Sequence, residues 1–122
     1  MFYYPIPRSN PSVSLIVPAY NEQETIKQSI EAIFSMDYEN ILEVIVVNDC
    51  SKDKTGEILD DLKKKYKKLI VIHNKKNLGN AARSQNVGLK IARGDIIGVI
   101  DADSYPAKQS VRKMIGFFIL ML

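Results

Sequence analysis

Two aspartates, Asp101 and Asp103, stand two apart in the stretch Arg93-Gly94-Asp95-Ile96-Ile97-Gly98-Val99-Ile100-Asp101-Ala102-Asp103-Ser104-Tyr105-Pro106. The apolar residues before them, Ile96, Ile97, Val99 and Ile100, form a run too short for an ordinary helix and bounded by Gly94 and Pro106. That predicts a central parallel strand covered on both faces. Carboxylates at the C-terminal end of such a strand sit where open α/β sheets bind their ligands. Two of them there repel one another unless a cation lies between or near them. Oxygen donors this hard suit Mg²⁺ or Mn²⁺, ions that usually also hold substrate phosphates. The chemistry indicated is a metal and diphosphate site, although the same pair could serve as a helix cap or as a turn before proline. The rest of the chain decides between the two.

The elements that must position this pair are legible as alternating patterns. Residues 1–12, with Pro5, Pro7 and Pro11, read as an N-terminal arm. Val13 to Val17 is a first strand, which Pro18 is expected to end because proline cannot donate to a ladder. From Glu22 the period becomes helical, with Ile26, Ile30, Ile33 and Phe34 on one face, Asn21 as the expected N-cap and Glu22 and Glu24 in the first turn. Leu42 to Val47 is a second strand, followed by the polar loop Asn48 to Asp53. Asp53 or Ser51 can cap the next helix, whose core face is Ile58, Leu59 and Leu62. Leu69 to Ile72 is a third strand.

A third helix is expected from Ala81 to about Ala92, with Ala81, Ala82, Gly88 and Ala92 allowing close approach to the sheet. Arg83 falls in its first turn, where a cation is unfavourable. Either an anion lies nearby or the guanidinium pairs with an acidic loop. The order β-α-β-α-β-α-β, with connections long enough for right-handed crossovers, predicts an α/β fold: a Rossmann-like parallel sheet with flanking helices and every polar loop on one edge. Neither a Gly-x-Gly-x-x-Gly after the first strand nor a P-loop is present, so dinucleotide and P-loop chemistry have no support.

Composition narrows the class further. At 122 residues the chain is long enough for one domain, and its 46% hydrophobic content excludes a disordered chain. A single Cys50 rules out an internal disulfide, and His73 is the only histidine, so no zinc cluster can form. The start lacks the pattern of a signal peptide, and the longest apolar tract, Gly116 to Leu122, is far short of a membrane span. The expected location is the cytoplasm, with the inner face of the membrane left open. The net charge of +3 is concentrated at Lys63 to Lys68. That run reads as a solvated helix end rather than a nucleic-acid or anionic-lipid patch, being short and without interleaved aromatics.

Four stretches taken together carry a resemblance: Val13 to Glu22, Val46 to Thr55, Asn77 to Gly94 and Asp101-Ala102-Asp103. In this order and spacing they resemble family 2 glycosyltransferases of the GT-A fold over about residues 13 to 118. The resemblance implies transfer of a sugar, with inversion, from a nucleotide-diphosphate sugar donor, using a divalent metal held by the Asp-x-Asp. It implies that Pro18, Tyr20 and Glu22 border the nucleotide and that Asp49 accepts a hydrogen bond from the base. It puts Arg83 near the nucleotide or the acidic loop, has Asp101 face the ribose or the metal, and makes Asp103 the most direct metal ligand. Mg²⁺ or Mn²⁺ is the implied cofactor.

The chain departs from the family pattern in two ways. Asn48-Asp49-Cys50-Ser51 stands where the family often has Asp-Asp-Gly-Ser, so Asn48 lacks a charge and Cys50 replaces a glycine. The family's domain is also longer than this chain. Residues 13–122 are therefore expected to be the nucleotide-sugar-binding half of a GT-A domain, incomplete at its C-terminal side, with the acceptor site and the acidic general base beyond Leu122. The acceptor, a saccharide or a lipid-linked one, is not named by these residues. The alternative functions are a non-catalytic nucleotide-sugar-binding module, or a half-enzyme needing a partner chain. A nucleotidyltransferase would want a Gly-rich, Lys- or Arg-bearing loop after the first strand, which Pro18-Ala19-Tyr20-Asn21 is not. An open fourth-strand edge and the apolar Phe117, Phe118, Ile119, Leu120 and Leu122 lead us to expect self-association.

Overall fold

A computed structural model describes residues 11–36, 38 and 40–102. The N-terminal arm through residue 10, Asp103, and the terminal residues on which self-association was expected to rest all lie outside them. The chain alternates β1 (Val13–Ala19), α1 (Ile26–Phe34), β2 (Ile41–Asn48), α2 (Thr55–Lys65), β3 (Leu69–His73), α3 (Ala81–Leu89) and β4 (Ile96–Val99). Every pairing is parallel and the strand order is β3-β2-β1-β4, so the fourth strand lies beside the first. This is the Rossmann-like α/β sheet that the alternation predicts.

Two layers of helix follow from the two faces of the strands. Leu15 and Val17 of β1 pair with Val44 and Val46 of β2. All four join one buried cluster with Ile26, Ile30 and Ile33 of α1 and Leu59 and Leu62 of α2. The alternate residues, Ile16 and its partner Ile45, are buried on the other face. There α3 packs on β1 and β2. A Cβ at Gly88 would stand 2.8 Å from Ile16 Cγ2, so this glycine sets how closely α3 approaches the sheet. Ala81 and Ala82, expected to share that role, are exposed, and α3 ends at Leu89 rather than Ala92. Its first turn reaches past the strand ends instead of lying on them.

Three further expectations need correction. Pro18 does not end β1 but lies within it, opposite Val47. Ile16 O accepts from Ile100 N on the β4 side, and Ala19 O accepts from Asp49 N on the β2 side. By the alternation of a strand, the nitrogen of Pro18 faces β4, where pairing has already stopped at Ile16 and Val99. The missing N–H therefore removes no bond to β2.

Asn21 does not cap α1. Its φ of +52° is left-handed, its amide donates to Ser51 Oγ, and its Oδ1 accepts from Lys52 N. The helix starts later, at Ile26, after a turn in which the Glu22 carbonyl accepts from Thr25 N and Ile26 N. Ser51 is thereby taken by Asn21, and neither candidate caps α2: the N-cap position is Lys54, without a side-chain bond, while Asp53 Oδ1, one residue earlier, accepts from Thr55 N.

Finally, β4 is an edge among the described residues, paired with β1 alone, which agrees with the expected open edge but not with a central, fully covered strand. Its apolar run predicted cover on both faces, yet Val99 is exposed because α3 lies over β1 and β2. At the opposite end of the strands, buried Glu43 accepts from Ser14 Oγ at 2.6 Å and from Arg93 N at 2.7 Å. Gly94 N donates to the same Ser14 hydroxyl. These bonds fix the entry to β4 against β1 and β2. No helix among the described residues is long and apolar enough to cross a membrane.

Candidate functional site

The parallel strands all end on one edge, and there the loops enclose a cleft of about 540 Å³. Five of the residues expected at the site, Pro18, Tyr20, Glu22, Asp49 and Asp101, line it together. They come from the ends of three different strands, so their meeting is a product of the sheet order rather than of sequence proximity. Tyr20 and Asp101 are exposed, whereas Asp49 is 5% exposed.

Asp49 is the most heavily held of them. Its backbone N–H donates to Ala19 O at 2.8 Å and its carbonyl accepts from Asn77 Nδ2 at 3.2 Å. Its Oδ1 accepts from Asn74 Nδ2 at 2.9 Å and from Leu78 N at 2.8 Å. The residue also lines the cleft. Asn74, Asn77 and Leu78 thus support the site, although none of the three is among the residues expected there. The repeated asparagines, which bond readily to nearby backbone, were the signal available.

Asn48, the residue that lacks the family's charge, has a specific use here. Its Nδ2 lies 2.9 Å from His73 Nδ1 and its Oδ1 accepts from Ser51 N at 3.1 Å. The other ring nitrogen of His73 is 2.8 Å from Asp60 Oδ1. An amide that donates at Nδ2 requires His73 Nδ1 to be the acceptor and Nε2 to carry the proton toward Asp60. Next to it, Cys50 has a φ of +59°, a left-handed backbone that a glycine would adopt without strain.

Side chains lace the loop after β1 to the loop after β2. Besides the two bonds of Asn21, Glu22 N donates to Thr55 Oγ1 at 2.8 Å and Gln23 N donates to Asp53 Oδ2 at 3.2 Å. Lys54 N donates to Gln23 Oε1, and Thr55 Oγ1 donates to Asp53 Oδ1. Burial alone would raise the Asp53 carboxyl, but these bonds from Thr55 and Gln23 outweigh it and hold the pKa below the ordinary value.

Asp101 follows β4 by two residues, and α1 pins the peptide after it. Ser29 Oγ donates to Ala102 O at 2.7 Å, and Thr25 Oγ1 reaches the same oxygen at 3.3 Å. Asp103 lies outside the described residues, so the pair is seen from one side only. Among the described residues no group of three or more His, Cys, Asp or Glu side chains is placed to hold a metal ion. Arg83 is exposed, is not part of the cleft wall, and pairs with no carboxylate among the described residues. Its Nη1 donates to Leu78 O at 3.2 Å, bracing the segment that supplies Leu78 N to Asp49.

Residues 14–119 match the family model described as glycosyl transferase family 2. The chain belongs to that family.

Among curated relatives, a probable glycosyltransferase YdaM of Bacillus subtilis (strain 168) is 40% identical over 104 residues, covering 83% of this chain and 25% of the relative. The uncharacterized glycosyltransferase EpsJ of the same organism is 36% identical, covering 85% of this chain and 29% of the relative. The chain thus spans about a quarter to a third of the length of these relatives.

Among solved structures, S. aureus TarS 1-349 in complex with UDP superposes with a TM-score of 0.77 at 32% identity, covering 87% of this chain and 31% of that one. A mannosyltransferase of Pyrobaculum calidifontis in complex with GDP-Man and Mn²⁺ gives a TM-score of 0.76 at 31% identity, covering 86% and 31% of the two chains. The fold is that of GT-A glycosyltransferases.

Proposed function

We propose that this chain is the donor-binding part of an inverting glycosyltransferase and that the cleft takes a nucleotide-diphosphate sugar. The observation that carries this reading is the convergence of Pro18, Tyr20, Glu22, Asp49 and Asp101 on one cleft at the C-terminal edge of the sheet. The family relation supports it, and so do the ligands of its structural neighbours: TarS has been solved with UDP-GlcNAc and the mannosyltransferase with GDP-Man and Mn²⁺.

Each residue then has a defined task. Asp49 presents its second carboxylate oxygen to an N–H of the base, with its other oxygen fixed by Asn74 and Leu78. Pro18 and Tyr20 form the wall beside it, and Glu22 closes the loop that carries them. Asp101 offers a hard oxygen donor in the same cleft. Mg²⁺ usually takes one or two protein carboxylates and completes its shell with phosphate oxygens and water. Asp101 in the cleft and Asp103, two residues on in the sequence, fit that requirement. When bound there, Mg²⁺ or Mn²⁺ supplies Lewis-acid neutralisation of the departing diphosphate.

Titration calorimetry with UDP, GDP and their sugar conjugates, with and without Mn²⁺, tests the reading. We expect saturable binding of at least one nucleotide that strengthens with Mn²⁺ and loses that gain in Asp101→Asn. A flat titration against every nucleotide in both conditions would refute it.

A further inference from the structure

Ser84 Oγ is the one buried side-chain oxygen or nitrogen among the described residues without a hydrogen-bond partner. The residue is 1% exposed, sits in the first half of α3, and contributes to the wall of the cleft. Buried hydroxyls in folded proteins are nearly always paired, because an unpaired one forfeits its bonds to water and gains nothing in return. An orphan on the wall of a cleft is placed to bond whatever fills that cleft, a ligand atom or a water that the ligand displaces.

The surroundings indicate what kind of atom. Asn80 caps α3, and its Oδ1 accepts from Arg83 N. The preceding N–H groups of a first turn have no partner within their own helix. Asn80 and Ala81 line the cleft together with Ser84. Unsatisfied amides, the positive end of the helix dipole and a hydroxyl able to donate all favour an electron-rich oxygen.

We propose that Ser84 is a binding residue of the donor site, and that its hydroxyl, at the first turns of α3, donates to an acceptor oxygen of the nucleotide. This rests on the donor-site reading above and adds a contact to it. The oxygen belongs either to the nucleoside or to the phosphates, and the two sources separate experimentally.

The test compares the parent chain with Ser84→Ala and Ser84→Thr, using uridine, UMP, UDP and GDP in calorimetry and thermal denaturation without ligand. For Ser84→Ala we expect affinity for the bound nucleotides to fall about five- to ten-fold, the loss of one hydrogen bond. Its melting temperature without ligand stays level or rises, because the substitution removes an unpaired buried hydroxyl. Ser84→Thr, which keeps the hydroxyl, retains most of the affinity. A loss already visible with uridine assigns the oxygen to the nucleoside, and a loss with UMP or UDP but not with uridine assigns it to a phosphate.

Unchanged affinity in Ser84→Ala while the parent binds overturns this assignment alone. A clear drop in its ligand-free melting temperature also overturns it, by showing that the hydroxyl serves the fold. Failure of the parent to bind any of the four compounds or their sugar conjugates, with and without Mn²⁺, overturns the donor-site reading, and this assignment with it.

Discussion

Asp49 shows how one side chain can be both scaffold and reader. Asp49→Asn keeps Oδ1 for Asn74 and Leu78 but replaces the second oxygen with an N–H donor. We expect a melting temperature close to that of the parent and at least a ten-fold loss of nucleotide affinity, about 1.4 kcal/mol, in parallel calorimetric titrations. Cys50 tests the opposite case, a residue whose side chain is less important than its backbone. Left-handed φ costs an L-residue roughly 1–2 kcal/mol, partly offset in glycine by a freer unfolded chain. Cys50→Gly should therefore be neutral or stabilising by up to about 1 kcal/mol in urea denaturation. The spacing of Asp101 behind an apolar run made it legible as a candidate, and Asp49 became one through the resemblance of the stretch Val46 to Thr55. Ser84 and Ser29 were not, since a serine within a helical pattern carries no sign of whether its hydroxyl meets solvent, a carbonyl or a cleft.

The strands were readable because their apolar runs are continuous, and so was the order of elements. Their ends were less so, because they depend on long-range bonds. Pro18 could stay within β1 only because β4 stops pairing at Ile16, and α1 could start late only because Asn21 is committed to Ser51 and Lys52. Gly94 shows how tightly one such junction is built. A Cβ there would stand 2.6 Å from Ser14 N, a backbone atom of a central strand that cannot step aside. Gly94→Ala should destabilise by about 2 kcal/mol or more, measured by denaturant unfolding. At the cleft end, Ser29→Ala removes the shorter of the two bonds to Ala102 O. We expect a loss of about 1 kcal/mol of stability and a weaker response of nucleotide binding to Mn²⁺, as the peptide after Asp101 loosens.

Across the whole domain, two held carboxylates set the response to acid. At Glu43, burial by itself raises the pKa, but hydrogen bonds from Ser14 Oγ and from the backbone and side chain of Arg93, with the attraction of that guanidinium, bring it below its ordinary value of 4.5. Asp53 is likewise held below 3.8. A group whose folded pKa is depressed stabilises the fold fully above its unfolded value and loses that contribution as pH falls through the folded one. Thermal melts should accordingly be level from neutrality down to about pH 5 and fall steeply below about pH 4. Glu43→Gln should flatten that fall while lowering the neutral-pH plateau.

The lacing between the loops after β1 and β2 has a consequence for motion. Gln23, Lys52 and Lys54 donate their amides across the gap, and none of them lines the cleft. Neither loop can therefore open without breaking bonds held by the other, and the two fluctuate as one cooperative unit. A nucleotide gripping Asp49 would slow hydrogen exchange at these three amides without touching them, so occupancy of the cleft would be recorded in residues outside its wall.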